Sequence, residues 1–277
     1  MSNFVYTVKL WIYKSLHYVK IYIVCIKMYI QMSSSGNEKS DKKKQKLRDR
    51  KKERTRKAIL AAAARFFSEN PVNEVSVEDI ADSAFVSRTT VYNYFKNKDE
   101  IFFGLGTQFF TEVNEALDKN FPAGIPGIEQ VLLLSKQTLQ GSFERPLINT
   151  IVYEFFNRIN ANNLMIEEMH DDIVESIGSP SYDEIMKKFE EPCLIEFYVQ
   201  LLKFGDLWKR AVMNGKTDGT IKNELEEEQI VHFLFILIDG MIAQMKLRRT
   251  TLKRIALNRE TVTENSLNLI AAFLRQK

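Results

Sequence analysis

The chain has 277 residues, 45% of them apolar, with only 11 Gly, 6 Pro and 2 Cys. That length exceeds one small DNA-binding module and suits two domains with a sizeable core. Scarce Gly and Pro argue against a loop-rich all-β protein, and Cys25 and Cys193 alone cannot build a disulfide framework or a four-ligand zinc site. A reducing cytoplasm fits this usage. The net charge of +3 hides an asymmetry: residues 1–31 carry four Lys and no acid, and residues 41–57 carry eleven Lys and Arg against Asp41, Asp49 and Glu53. The rest of the chain is acidic, with a net charge of −9. A basic arm ahead of an acidic body suits nucleic acid or an anionic surface, or is simply a solvated tail.

Residues 1–31 are apolar but interrupted by Lys9, Lys14, Lys20 and Lys27. They therefore lack the roughly 20 consecutive apolar residues of a spanning helix. They also lack the unbroken apolar centre of a signal peptide. An interfacial amphipathic segment is one alternative. Their richness in residues with AT-rich codons favours translated upstream DNA, with the true start expected at Met32. Residues 1–46 are expected to be an extension without fixed structure.

The first helix is expected from Leu47 or Thr55 to Ser68. Ile59, Ala63, Phe66 and Phe67 form one apolar stripe, and Asn70-Pro71 ends it. Ser76 can cap a second helix, with Asp79 at its third position as in a capping box. Ile80 and Ala81 face inward, and a turn follows at Ala84-Phe85-Val86. Ser87 can cap a third helix whose core side is Val91 and Phe95.

The outward side of that third helix is the informative part. Arg88, Thr89, Thr90, Tyr92, Asn93 and Tyr94 nearly all form hydrogen bonds, and no acid lies between Ser87 and Lys98. Arg can bind guanine and Asn adenine in a bidentate manner, while Thr and Tyr suit phosphates. Ser76 and Ser87 join this DNA-facing set, because a capped helix N-terminus attracts phosphate.

The run from Val77 to Phe102 resembles the TetR family of repressors. That family's Ile-Ala pair, Ala-Gly-Val-Ser turn and Tyr-x-x-Phe-x-x-Lys ending correspond to Ile80-Ala81, Ala84-Phe85-Val86-Ser87, and Tyr92, Phe95 and Lys98. The resemblance implies base or backbone contacts from Arg88, Thr89, Thr90, Tyr92 and Asn93. It implies phosphate contacts from Tyr94 and Lys98, and burial of Val91 and Phe95. Phe85 departs from the pattern. Gly suits a turn with positive φ, so here either φ is negative or strain is tolerated.

From Asp99 onward the period stays helical. Helices are expected at 99–119, 127–141, 145–160, 164–177, 182–214, 226–248 and 261–275, with Pro192 kinking or splitting the fifth. The fold class expected is all-α: a three-helix helix-turn-helix domain at 47–98, then a helical ligand-binding and dimerisation domain at 99–277. Ile230, Phe233, Leu234, Leu237, Met241 and Met245 form a wide apolar stripe, and Val262, Leu269, Ile270 and Phe273 a second. The resemblance implies that these two helices pair with their symmetry mates in a homodimer. Phe109, Tyr153, Phe156, Tyr198, Phe204 and Trp208 are the expected lining of an effector pocket.

Glu167-x-x-His170 has the spacing of a helical metal pair but no second copy, so an acidic solvated face is the expectation. No metal, cofactor or catalytic set is expected; Ser-His-Asp, P-loop and dinucleotide motifs do not occur. The reading is a ligand-responsive cytoplasmic repressor that binds a palindromic double-stranded DNA operator as a dimer and responds to a small molecule, rather than an enzyme. The alternative is a helical ligand-binding protein held to anionic membrane by its basic arm.

Overall fold

A computed structural model describes residues 39–121, 124–162 and 191–276, and every described element is a helix. In chain order they are α1 (Lys39–Glu69), α2 (Val77–Ser83), α3 (Arg88–Tyr94), α4 (Lys98–Asn120), α5 (Gly127–Glu144), α6 (Pro146–Asn162), α7 (Pro192–Thr217), α8 (Glu227–Leu247), α9 (Arg249–Arg254) and α10 (Arg259–Arg275). The expected helix at 164–177, the metal-like Glu167 and His170, and residues 1–31 lie outside the described residues.

The start of α1 and the presence of α9 differ from the sequence reading. α1 begins at Lys39 rather than near Leu47. The stretch 39–57 is Lys- and Arg-rich with no Gly or Pro, so its intrinsic preference carries the helix back through the basic segment. Pro192 is the first residue of α7, and residues 182–190 of the expected fifth helix lie outside the described residues. The proline's missing N–H costs nothing at the first helical position. The six-residue α9 was not anticipated, and it ends in a turn with Ala256 at a φ of 57°.

The described residues divide into two compact units. One unit holds 39–111, 146–162 and 191–200; the other holds 112–121, 124–145 and 201–276. α4 is a single unbroken helix, so its first turns belong to the helix-turn-helix unit.

The core of the first unit is aromatic. Phe67 meets Phe102 edge-on at 6.0 Å, Phe102 meets Phe103 at 5.4 Å, and Phe197 packs on Phe155 at 5.1 Å. Such pairs each add about 0.5–1.5 kcal/mol beyond area burial. Gly106 permits this packing, since a Cβ there would lie 2.5 Å from the Phe197 ring. Arg158 of α6 anchors the start of α4. Its guanidinium donates to Asp99 at 3.0 Å, Glu154 at 3.1 Å and Glu191 at 3.3 Å, and it lies over the Phe103 ring.

The second unit is built around α5, α7, α8 and α10. Ile128, Val131, Leu134, Trp208, Val212, Ile230, Leu234 and Ile270 form one buried cluster. The first amides of α5 have no intrahelical partner. The turn after α7 supplies one: Gly127 donates to Asp218 Oδ2 at 2.7 Å and Ile128 donates to Thr220 Oγ1 at 3.2 Å. Bonds from the Thr220 hydroxyl, the Gly127 amide and the Thr220 amide hold the Asp218 carboxyl below its usual range. The junction is tight, because a Cβ on Gly127 would sit 1.9 Å from the Gly215 nitrogen.

That closeness makes Gly127 and Gly205 a matched pair. Gly127→Ala forces backbone against backbone and is expected to cost about 3 kcal/mol or more. Gly205→Ala, within α7 with open space around it, is expected to gain about 0.5–1 kcal/mol from helix propensity. Urea denaturation of the two variants checks this; equal effects would contradict the packing described.

Candidate nucleic-acid interface

α2 and α3 are seven residues each. Helices this short are not stable alone. Ile80 and Ala81 of α2 and Val91 of α3 are almost fully buried, as are Ile59, Leu60, Ala62 and Ala63 of α1 and Phe95 after α3. Burying one Phe side chain contributes about 1.5–3 kcal/mol. Arg65 of α1 also donates to Ser83 Oγ at 2.8 Å, which ties α1 to the end of α2.

Serine caps open both short helices. Ser76 Oγ accepts from the Asp79 amide at 3.0 Å and donates to Asp79 Oδ2 at 2.6 Å. Ser87 Oγ accepts from the Thr90 amide at 3.0 Å and shares a 2.8 Å bond with its hydroxyl. Both serine hydroxyls are therefore engaged in forming helix starts.

The turn between these helices resolves the question raised by Phe85. Its φ is 56°, so the left-handed conformation is kept without glycine. Phe85 N–H donates to Asp82 O at 3.1 Å and Val86 N–H donates to Ala81 O at 3.0 Å. This pair of bonds is a Schellman ending, with Phe85 at the position that glycine usually takes. Its side chain is 95% exposed and buries nothing in return.

The remaining predicted residues follow from this frame. Thr89 and Asn93 are exposed, Thr90 and Tyr94 are half-buried, and Val91 and Phe95 point inward. Tyr92 is 44% exposed and so is not a core tyrosine. Arg88 is exposed and held on two sides. It pairs with Glu78 of α2, and its guanidinium lies 5.5 Å from the centre of the Tyr92 ring. The Tyr92 hydroxyl and the Glu78 charge both stabilise its cation, so its pKa is raised. Glu78 lies ten residues away in sequence, and spacing alone gave no sign of the pairing.

Lys98 is placed differently from a free phosphate ligand. Its ammonium donates to Asn73 O at 2.8 Å and Val75 O at 3.0 Å. It thereby fastens the start of α4 to the loop before α2. Asn97 caps α4 by accepting from the Glu100 amide at 2.8 Å, and Glu100 accepts from the Lys96 amide at 2.7 Å. Lys46, Arg48, Arg50, Lys51, Lys52 and Arg54 are exposed along α1.

The expected effector residues are distributed over both units. Phe109, Tyr153, Phe156 and Tyr198 belong to the first unit, and Phe204 and Trp208 to the second. Tyr153 is 69% exposed and Phe156 49%, whereas Tyr198 and Trp208 are buried. Phe204, Trp208 and Phe235 form an aromatic cluster, with Trp208 5.2 Å from Phe235. Among the described residues the buried Trp208 Nε1–H meets no acceptor.

Residues 59–105 match the family of bacterial regulatory proteins, tetR family. An uncharacterized HTH-type transcriptional regulator of Haemophilus influenzae is 31% identical over 90 residues, 32% of this chain and 48% of that protein. The uncharacterized HTH-type transcriptional regulator YhgD of Bacillus subtilis is 30% identical over 76 residues, 27% of this chain and 40% of that protein. The chain thus spans about half the length of the curated relatives it matches. Among solved structures, the transcriptional regulator FadR of Bacillus subtilis, in complex with stearoyl-CoA, has a TM-score of 0.54 at 17% identity, covering 78% of this chain and 97% of that one. Reduced NemR of E. coli has a TM-score of 0.53 at 14% identity, covering 79% and 97%. At such identities the likeness is one of fold.

Residues 59–105 thus form a helix-turn-helix similar to that of the tetR family of bacterial regulatory proteins, on an all-helical body that resembles solved regulators in fold.

The left-handed Phe85 gives a direct test of the turn. A non-glycine residue there costs about 1–2 kcal/mol, partly offset by the larger unfolded-state entropy of glycine. Phe85→Gly is expected to raise stability by roughly 0.5–1 kcal/mol. A higher urea midpoint at unchanged slope is the expected result; a lower midpoint would show that the exposed ring contributes to the fold.

Proposed function

We propose that the chain is a ligand-responsive repressor that binds a palindromic operator as a homodimer and is released by a small, partly apolar effector. The observation that carries this reading is the outer face of α3. Arg88, Thr89, Tyr92 and Asn93 stand exposed on a helix whose opposite side is locked into the core. The match of residues 59–105 favours this reading over the membrane-bound alternative.

A seven-residue helix reads few bases, so a second copy answers a physical need. α8 and α10 offer the surface. Phe233, Ile236 and Leu269 are exposed on them, and Phe233 stacks on Phe273 at 4.4 Å. Phe233, Leu237, Leu269, Ala272 and Phe273 line a groove of about 560 Å³. α8 is long and apolar enough to cross a membrane, with a mean hydropathy of 1.7, yet little of it is buried within the chain. Exposed apolar surface of this extent marks an interface. In the proposed cytoplasmic dimer, a second copy of α8 and α10 covers it.

For the effector, Trp208 is the best supported of the expected residues. A buried N–H without an acceptor costs about 1–3 kcal/mol. An effector with an oxygen or nitrogen acceptor beside an apolar body would recover that cost. By linkage, an effector that prefers the spacing unsuited to DNA releases the operator.

The test is operator binding by Arg88→Ala, with the operator taken from selection out of random duplexes. The variant is expected to lose about 1–3 kcal/mol of affinity and to relax discrimination at one base position. Wild-type binding should weaken steeply with salt. A variant that binds operator and random DNA as the wild type does would remove α3 from the recognition role.

A further inference from the structure

The connection from α8 to α10 holds a second concentration of positive charge. Residues 245–259 carry Lys246, Arg248, Arg249, Lys253, Arg254 and Arg259, with no Asp or Glu. All six are exposed. None pairs with a carboxylate among the described residues; Arg248 donates to Gln244 Oε1 at 2.9 Å and Arg259 lies over the Phe143 ring at 5.0 Å. Like charges closer than about 8 Å repel, because salt at physiological strength largely screens only those farther apart.

Helix stability accounts for most of them. Lys246 closes α8, and Lys253 and Arg254 close α9, where cations suit the carbonyl end. Arg248 and Arg249 occupy the cap and first position of α9. A helix start favours Ser, Thr, Asn and Asp at the cap and acids in the first turn. Arg248, as the C-cap of α8, is a fourth cation at a carbonyl end, and only Arg249 of the pair gains nothing locally. The chain reversal is nevertheless firmly built. Leu257 N–H donates to Leu252 O at 3.0 Å and Ala256 N–H donates to Lys253 O at 3.2 Å. Ala256 takes the left-handed position, as Phe85 does in the other turn.

We infer that this basic turn is a second DNA-binding surface, which holds duplex phosphates without reading bases. The inference rests on the DNA-binding reading above. Four of the six cations are arginines, whose forked guanidinium matches phosphate. The exposed hydroxyls of Thr250 and Thr251 stand between them. Residues 58–100, which contain the recognition helix, have four cations against seven acids. Attraction to the phosphate backbone must therefore come from cations outside that segment, and the basic start of α1 and this turn are their two concentrations among the described residues. A bilayer surface fits less well. The segment has no aromatic anchor, and its only exposed large apolar side chains are Leu247 and Ile255.

The test compares the full-length protein with a triple variant, R249Q/K253Q/R254Q, whose thermal melting is measured first, a small drop being expected from the loss of Lys253 and Arg254 at the end of α9. Binding is measured from about 50 to 200 mM salt on a long duplex of random sequence and on the operator. The slope of log affinity against log salt on the random duplex is expected to fall by about 0.9 for each phosphate no longer neutralised by a side chain. Discrimination of operator over random DNA should stay unchanged. An unchanged slope overturns the inference. So does an unchanged slope accompanied by weakened binding to vesicles of phosphatidylglycerol and phosphatidylcholine, which would assign the surface to lipid. Arg88→Ala, run in parallel, separates the two readings: if it alone changes operator discrimination, the recognition helix stands whatever the triple variant does.

Discussion

The seven-residue length of α2 and α3 is the constraint on which the functional part of this molecule depends. Neither helix has enough internal hydrogen bonds to hold its place. Their positions come from a continuous set of local devices: the Ser76 cap, the Schellman ending around left-handed Phe85, and the Ser87 cap. Beneath them, Ile80, Val91 and Phe95 share one core with α1. Lys98 closes the arrangement by binding the carbonyls of the loop before α2. Each device acts on backbone, so the outward side chains of α3 are left free to vary in chemistry.

Charge is distributed unevenly over that scaffold. The helix-turn-helix segment is itself acidic, and Arg88 is already paired with Glu78 and Tyr92. In the DNA complex, Arg88 would exchange one set of partners for another, so its gain is a difference between two environments. The pairing also holds the guanidinium at the start of α3 before any encounter. Long-range attraction falls to the exposed cations of α1. The exposed cations from Lys46 to Arg54 lie along about 12 Å of that helix.

Much of this was legible in the sequence because local rules and core burial agreed. Ser76 and Ser87 cap as their positions predicted, and the inward residues of α2 and α3 follow helical spacing. Phe85 was identifiable as the point of conflict, but spacing could not choose between a changed turn and a strained one. The structure has the strained one. Lys98 and the Arg88–Glu78 pair were hidden because they join residues brought together by the turn. The effector residues were the least legible: aromatic side chains at helical spacing look alike whether exposed, as Tyr153, or fully buried, as Trp208. The start of α1 was misplaced because a charged run was read as a tail, when its residues are also good helix formers.

The central claim is that α3 enters the major groove in two copies related by symmetry. Methylation interference on a selected operator tests it most directly, because it reports contact at individual guanines of the major groove. Two symmetric clusters of interference, with centres roughly 34–36 Å apart or a whole multiple of that distance, are the predicted result. A single cluster, or binding indifferent to major-groove methylation, would contradict the account.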